Sequence, residues 1–267
     1  MAETGIHDVQ QPQRTVALGM AAAQALLKPR KSRPFFGRHP WVLDSAVARI
    51  DGDVQDGDVI DLLSEKGKFI ARGIYNSRSR IRVRLYTWEA GEAIDEEFWR
   101  RRLNDAVEFR RELGYLEPSS ACRVVFSEAD GLSGLIVDRY ADYLAVQPTA
   151  MAIAKRMDVL VPLLVELVRP RGIVVRNERA ITQLEGVELA EGLHWGEAPE
   201  GAVFITEHGI RYGVDLTAGQ KTGFYVDQRE NHRAAAAYCH NKRVLDMFSY
   251  SGGFALSASI LGGAREV

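Results

Sequence analysis

The stretch KRVLDMFSYSGGFALSASILGGAREV, residues 242–267, decides what kind of domain closes this chain. VLDMF (244–248) is apolar apart from Asp246, the pattern of a parallel strand covered on both faces. Ser251-Gly252-Gly253 then opens a helix rich in Ala and Ser, and Arg265-Glu266-Val267 would begin the next strand. Strand, glycine turn and helix form the unit that receives nucleotide-like ligands. Glycine admits the ligand close to the backbone, and the helix start offers unpaired N–H groups. The spacing D-x-F-S-Y-S-G-G is neither G-x-G-x-x-G nor a P-loop. Taken alone, it fits a tight turn with only a packing role equally well.

A second polar segment lies upstream, GQKTGFYVDQREN at 219–231. It gathers Gln220, Lys221, Thr222, Tyr225, Asp227, Gln228 and Arg229 around two glycines. Such a loop can take a carboxylate through Lys221, Thr222 and backbone N–H groups, and an amine through Asp227. The alternative is a polar loop that caps a helix running through QRENHRAAAAYCH from Asp227.

The rest of the chain divides by pattern. Residues 1–27 read as a flexible or weakly helical leader, and 28–92 as a small β-barrel. There GDVIDLLS (57–64) and KFIARGIYN (68–76) form a hairpin about Glu65-Lys66-Gly67. SRSRIRVRLY (77–86) alternates, placing Arg78, Arg80, Arg82 and Arg84 on one strand face. Asp95 caps a helix carrying Trp99, Leu103, Ala106, Phe109 and Leu113 at helical spacing. This helix connects to a central α+β region ending near 198: a meander over 123–148, a helix from about Ala150 to Val168 capped by Thr149 and kinked at Pro162, and a strand at 172–177. Residues 199–267 open with a hairpin about His208-Gly209.

Composition is that of a soluble globular protein: 46% hydrophobic, 26% charged, net charge −2. No apolar run approaches the ~20 residues of a membrane span. VALGMAAAQALL (16–27) has little positive charge before it and the basic run KPRKSR after it, the wrong arrangement for secretion. The two cysteines, Cys122 and Cys239, are too far apart for a CxxC metal site, and the six histidines form no closed ligand set. These features imply a cytoplasmic protein without a metal. Charge is uneven. Residues 28–84 carry thirteen basic and seven acidic side chains, a local +6 that suits a polyanion.

The pair GQKTGFYVDQR and VLDMFSYSGGFALSA resembles the bacterial ribosomal large-subunit methyltransferase I family. RHPWVLDSAV (38–47) and the arginine strand are similar to that family's N-terminal PUA domain, a small RNA-binding pseudobarrel. DGLSGLIVDRYADYLAVQ (130–147), GIVVRNERA (172–180) and QLEGVEL (183–189) are similar to its central α+β region. The resemblance therefore implies α/β and α+β architecture: a PUA-like barrel, a central region, and the start of a Rossmann-like class I methyltransferase domain. It implies S-adenosylmethionine as cofactor, 23S rRNA as partner, and methylation of C5 of a cytosine. Lys221, Thr222, Gly223 and Phe224 would line the methionine end of the cofactor. Asp227, Gln228 and Arg229 would anchor its amino-acid moiety or fix the loop. Phe248, Ser249, Tyr250, Ser251, Gly252 and Gly253, led in by Asp246, would form the turn beneath it.

Arg33, Arg38, Arg78, Arg80, Arg82 and Arg84 would face RNA, with Phe35, Phe36 or Trp41 stacking on bases. The alternative is that Trp41 and one phenylalanine are barrel core and the arginines a solvated face. In the family a cysteine thiolate attacks C6 of the cytosine and makes C5 nucleophilic. Neither Cys122 nor Cys239 stands in a matching motif, and on this resemblance ~100 or more residues would follow, leaving this portion inactive alone. A non-catalytic RNA-binding module and a guanine-modifying rRNA methyltransferase are the competing readings. The sequence leaves a homodimer open.

Overall fold

Alternating apolar residues build the first sheet, and a computed structural model of the chain shows how they pair; it describes residues 21, 23–187, 189–216 and 222–267. Strands β1 (Ala23–Leu27), β2 (Trp41–Leu43), β3 (Val47–Asp51), β4 (Val59–Leu63), β5 (Phe69–Tyr75) and β6 (Ile81–Thr87) lie in the order β2-β6-β5-β4-β1-β3. A short helix α1 (Arg33–Phe36) sits between β1 and β2. The hairpin about residues 64–68 forms as its sequence predicts. The leader does not extend to 27. AQALL pairs antiparallel with β3 and parallel with β4, burying Ala23, Ala25 and Leu27. Two partner strands override the helical preference of an alanine-rich run. The leader's first twenty residues lie outside the described part.

Inside this sheet Asp61 and Arg72 form a buried ion pair at 2.7 Å. Beside it the chain needs Gly73, where a Cβ would lie 2.2 Å from the carbonyl oxygen of Arg84 on β6.

The second unit is a five-stranded sheet in the order β11-β10-β9-β8-β7, from β7 (Ala121–Phe126), β8 (Leu135–Tyr140), β9 (Tyr143–Pro148), β10 (Gly172–Val175) and β11 (Gly192–Gly196). Helix α2 (Glu96–Glu112) leads into it, capped as expected by Asp95, whose side chain accepts from the Phe98 N–H. Trp99, Leu103, Ala106 and Val107 bury as one stripe, but Phe109 does not join them. At ~100° per residue the stripe returns at position 110 rather than 109, and there Arg110 is buried in a bidentate pair with Asp130. Leu113, at the C-cap, is half-exposed.

The crossover from β9 to its parallel neighbour β10 uses α3 (Met151–Ala154) and α4 (Met157–Val168). The break falls at Lys155–Arg156, and Pro162 sits within α4. Thr149 is not the cap; Ala150 holds that position and the Thr149 hydroxyl donates to the Gly134 carbonyl. A short helix α5 (Arg179–Glu185) precedes β11.

The third unit begins with the hairpin β12 (Val203–Glu207) and β13 (Ile210–Val214). Its turn residues His208 and Gly209 both have positive φ, the primed geometry that suits a two-residue hairpin. Helices α6 (Arg229–Ala236) and α7 (Gly253–Ile260) follow and pack together. VLDMF is not a strand: the stretch 243–248 makes one parallel bridge, at Arg243 to Glu266 just before VLDMF, and Leu245 is 83% exposed. A strand is defined by its ladder, and among the described residues this segment has one neighbour at one residue. No described helix is long and apolar enough to cross a membrane.

The first two units are joined through Arg84. Its guanidinium lies 3.0 Å from Glu185 and 3.5 Å from Glu128, and Ser79 donates to Glu185 at 2.6 Å. Glu128 also accepts from the Trp41 indole and from Ser133. Burial raises the Glu128 carboxyl, but the hydrogen bonds from Ser127, Ser133 and Trp41 outweigh it and hold it below the ordinary carboxylate range. Removing one partner of a buried charge cluster strands the others. Arg84→Ala should therefore lower unfolding stability by about 3 kcal/mol in urea titrations followed by circular dichroism. Arg80→Ala, at an exposed position, should stay within about 0.5 kcal/mol.

Candidate cofactor site

The two polar segments do meet, and the way they meet can be traced from the central sheet outward. Asp138 on β8 is fully buried. It takes two hydrogen bonds from Arg123, at 2.8 and 2.9 Å, and one from the Thr222 hydroxyl. Tyr140, two residues along the strand, places its hydroxyl 2.8 Å from Thr222 Oγ1 and accepts from the Phe224 N–H at 3.1 Å. Burial raises the pKa of that phenol, so it stays protonated. Phe224 packs against Tyr212 of β13. Thr222 and Phe224, expected to line the cofactor, instead turn into the core. The turn that holds them is pinned to β8 at both residues, through Asp138 and Tyr140. Lys221 lies outside the described residues.

Beyond Gly223 the chain makes a single 3₁₀ turn, Val226–Gln228, and its side chains part company. At three residues per turn, neighbours diverge by ~120°. Val226 is buried. Gln228, with Tyr225, borders a cavity of about 550 Å³. Asp227 and Arg229 border a different cleft of about 250 Å³ beside Tyr115 and Cys122, with the Arg229 guanidinium 5.1 Å from the Tyr115 ring centroid. Asp227 does not cap α6; Gln228 holds that position and no side chain closes it. The Asp227 and Arg229 side chains thus lie away from the cavity.

The opposite wall is the glycine turn. Phe248, Ser249, Tyr250 and Ser251 line the cavity, and α7 begins at it with Gly253 and Phe254. The turn is held by two bonds. The Tyr250 hydroxyl donates to the Gly223 carbonyl at 3.1 Å, joining the two segments directly, and Asp246 Oδ2 accepts from the Ala255 N–H at 3.0 Å, capping α7. Tyr225 and Tyr250 meet edge-to-face at 5.3 Å. Phe248, Tyr250 and Gly252 all have φ between 47° and 72°. The two non-glycine residues cost of order 1 kcal/mol each, the kind of strain that persists where surrounding contacts enforce it. His232 on α6 completes the wall. It has no place in either quoted motif, and only its contact with the turn reveals it.

The donor set fits an S-adenosyl ligand. The first-turn amides of α7 and the hydroxyls of Ser249 and Ser251 suit a carboxylate or ribose, Gln228 can give or accept, and the aromatic rings suit a flat base. Neither cysteine lies at this cavity. Cys122 is buried beside β8, and desolvation pushes its thiol up to about 11. Among the described residues no cluster of His, Cys, Asp and Glu could hold a metal ion.

The arginines separate as well. Arg33, Arg38, Arg78 and Arg80 are exposed. Arg82 is half-buried, its guanidinium 3.3 Å from the Asn76 carbonyl and bonded also to that of Ser77. Arg84 is 7% exposed and committed to the carboxylates described above, so it does not face solvent with the others. Arg78 and Arg80 lie in the bend before β6, so of the four arginines expected on one strand face only Arg82 and Arg84 stand on the strand, and the Arg84 end is covered by the central unit. Phe35 is core, as the alternative reading of these aromatics has it, whereas Trp41, which that reading also places in the core, is 39% exposed on β2.

Comparison with known proteins agrees with this geometry. Residues 26–88 match the PUA-like domain family, and residues 189–267 match the S-adenosylmethionine-dependent methyltransferase family. Proteins named Ribosomal RNA large subunit methyltransferase I, from Shigella dysenteriae and Escherichia coli O157:H7, are 38% identical over 246 residues, 92% of this chain and 62% of theirs. The chain is similar to these proteins over nearly all of its described length. It spans about three fifths of the length of the curated relatives it matches, 60% for the Klebsiella pneumoniae proteins. A similar fold is seen in a solved Streptococcus mutans protein assigned as a SAM-dependent methyltransferase, with a TM-score of 0.75 over 91% of this chain and 61% of that one at 18% identity. A further structure of equal TM-score, a candidate methyltransferase, was solved complexed with SAH.

If Thr222 anchors the site loop to the central sheet, Thr222→Val leaves Asp138 and Tyr140 short of a partner and should destabilise the chain by about 1–3 kcal/mol in urea. The buried, high-pKa thiol of Cys122 should resist iodoacetamide at mildly alkaline pH in the folded chain and react once unfolded, as read by mass spectrometry.

Proposed function

We propose that this chain carries the RNA-docking unit and one wall of the cofactor site of an S-adenosylmethionine-dependent enzyme that methylates C5 of a cytosine in 23S rRNA, in the cytoplasm. The observation that carries the reading is the joint between the two segments, where the Tyr250–Gly223 bond closes a cavity of about 550 Å³ at the start of α7. Bound there, S-adenosylmethionine would supply an electrophilic methyl group on a sulfonium. Ser249, Ser251, Gln228 and the first amides of α7 would hold its polar groups, and Tyr225, Tyr250 and Phe254 would exclude water from its flat ones.

The names of the family's members favour rRNA, and cytosine C5 is favoured by the PUA-like start. Attack on C6 of a cytosine calls for an exposed, activated thiolate. Cys122, buried with its thiol pushed up to about 11, is unsuited to that role.

RNA would meet the first unit at Arg33, Arg38, Arg78 and Arg80, with the exposed rings of Phe36 and Trp41 available for stacking.

Two measurements test this. Isothermal titration with SAH should show saturable one-site binding that Ser251→Tyr, which fills the cavity, abolishes; no binding by the wild-type chain would remove the cofactor reading. Replacing Arg33, Arg38 and Arg80 together by Ala should weaken binding to an rRNA fragment and lower the slope of log K against log salt by about 2, each phosphate contact contributing ~0.7. An unchanged slope would take these arginines out of the interface.

A further inference from the structure

His232 is a buried imidazole with a fixed orientation on the wall of the cavity. It is 3% exposed, and its Nδ1 lies 2.6 Å from Oε1 of Glu207, which is also buried. An ionised carboxylate only accepts, so Nδ1 carries a proton and donates. That bond turns the other edge of the ring toward α7. A Cβ added at Gly253 would stand 2.5 Å from both Cε1 and Nε2 of His232, closer than any side chain can approach. The ring also meets Phe254 edge-on, at 85° and 4.6 Å between centroids. Gly253 and Phe254 are the first two residues of α7, and both border the cavity. Glu207 comes from the end of β12, and the adjoining turn is tied to α6 by a hydrogen bond between His208 Nε2 and the Arg229 carbonyl oxygen, 3.0 Å apart. A hairpin thus orients a histidine, and the histidine in turn dictates where α7 can begin.

We propose that the Glu207–His232 pair is the positioning element of the cofactor cavity: it sets the helix start whose amides and ring face the ligand, and it is the reason position 253 is glycine. The proposal rests on the cofactor reading above. His232 acts through Gly253 and Phe254, and is a positioning residue.

SAH binding to the full chain, measured by calorimetry, tests it. His232→Ala and Glu207→Ala should each weaken SAH about tenfold, the scale of a coupled contact, and the double variant should lose no more than His232→Ala alone. Gly253→Ala should weaken SAH at least as much in the wild-type background. In the His232→Ala background, where the clash is gone, it should cost less than about threefold. Unchanged SAH affinity in His232→Ala, or full additivity of the 232 and 253 losses, overturns the proposal. Should His232→Ala not fold, the ring ¹⁵N signals of His232 in the wild-type chain decide. They should shift on saturation with SAH, and an absent shift overturns it. Failure of the cofactor reading shows separately, as no SAH binding by the wild type. In that event the coupling of 232 and 253 is read from melting temperatures, where rescue of Gly253→Ala by His232→Ala supports the pair and additivity overturns it.

Discussion

The carboxylate of Asp138 is the constraint on which the site depends. It is buried in the middle of the central sheet, where an unpaired charge would cost several kcal/mol. Arg123 neutralises it from the neighbouring strand with two bonds, and the Thr222 hydroxyl takes a remaining lone pair. Because that last partner comes from the site loop, satisfying the charge and anchoring the loop are one event. Tyr140 extends the anchor, its hydroxyl bonding to the side chain of Thr222 and the backbone of Phe224. Everything downstream, the 3₁₀ turn, α6 and the imidazole at 232, inherits its position from this patch of β8.

A parallel joint links the first two units. Arg84 sits on a strand of the first sheet and its carboxylates on the second unit, one of them about a hundred residues along the chain. Few water molecules compete with a cluster this buried, so its geometry is defined by direction as well as charge. On the proposed reading, RNA gripped by the first sheet would stand at a fixed distance from the cavity. Two buried charges, Arg84 and Asp138, are the hinges that do not bend.

Local pattern was legible where the deciding partner is near in sequence. The hairpins at 64–68 and 208–209, the Asp95 cap and the meander of β7 to β9 follow from alternation, turn residues and capping chemistry. What could not be read was decided by distant partners. Nothing in SRSRIRVRLY says that a glutamate at 185 will cover its last arginine. AQALL has helical composition and becomes a strand because β3 and β4 flank it. VLDMF is apolar enough for a covered strand, yet a strand needs flanking partners; the bridge from Arg243 to Glu266 lies just before it, and Leu245, Met247 and Phe248 stay exposed.

The site motif shows the same limit at finer scale. KTGFYVDQR is recognisable as a unit, and it is natural to assign all its polar residues to one ligand. The backbone forbids it. In the first half, a turn about Gly223, Thr222 and Phe224 are bonded to Asp138 and Tyr140 and serve the central sheet. In the 3₁₀ half, successive residues spread around the turn, sending Gln228 to the cavity and Asp227 to another cleft. A short motif therefore carries two functions by geometry alone: half of it attaches the loop and half lines the site. His232 lies outside the motif as quoted, three residues beyond Arg229. It does more to shape the cavity than Thr222 or Phe224, because the space it occupies is the space that Gly253 leaves empty.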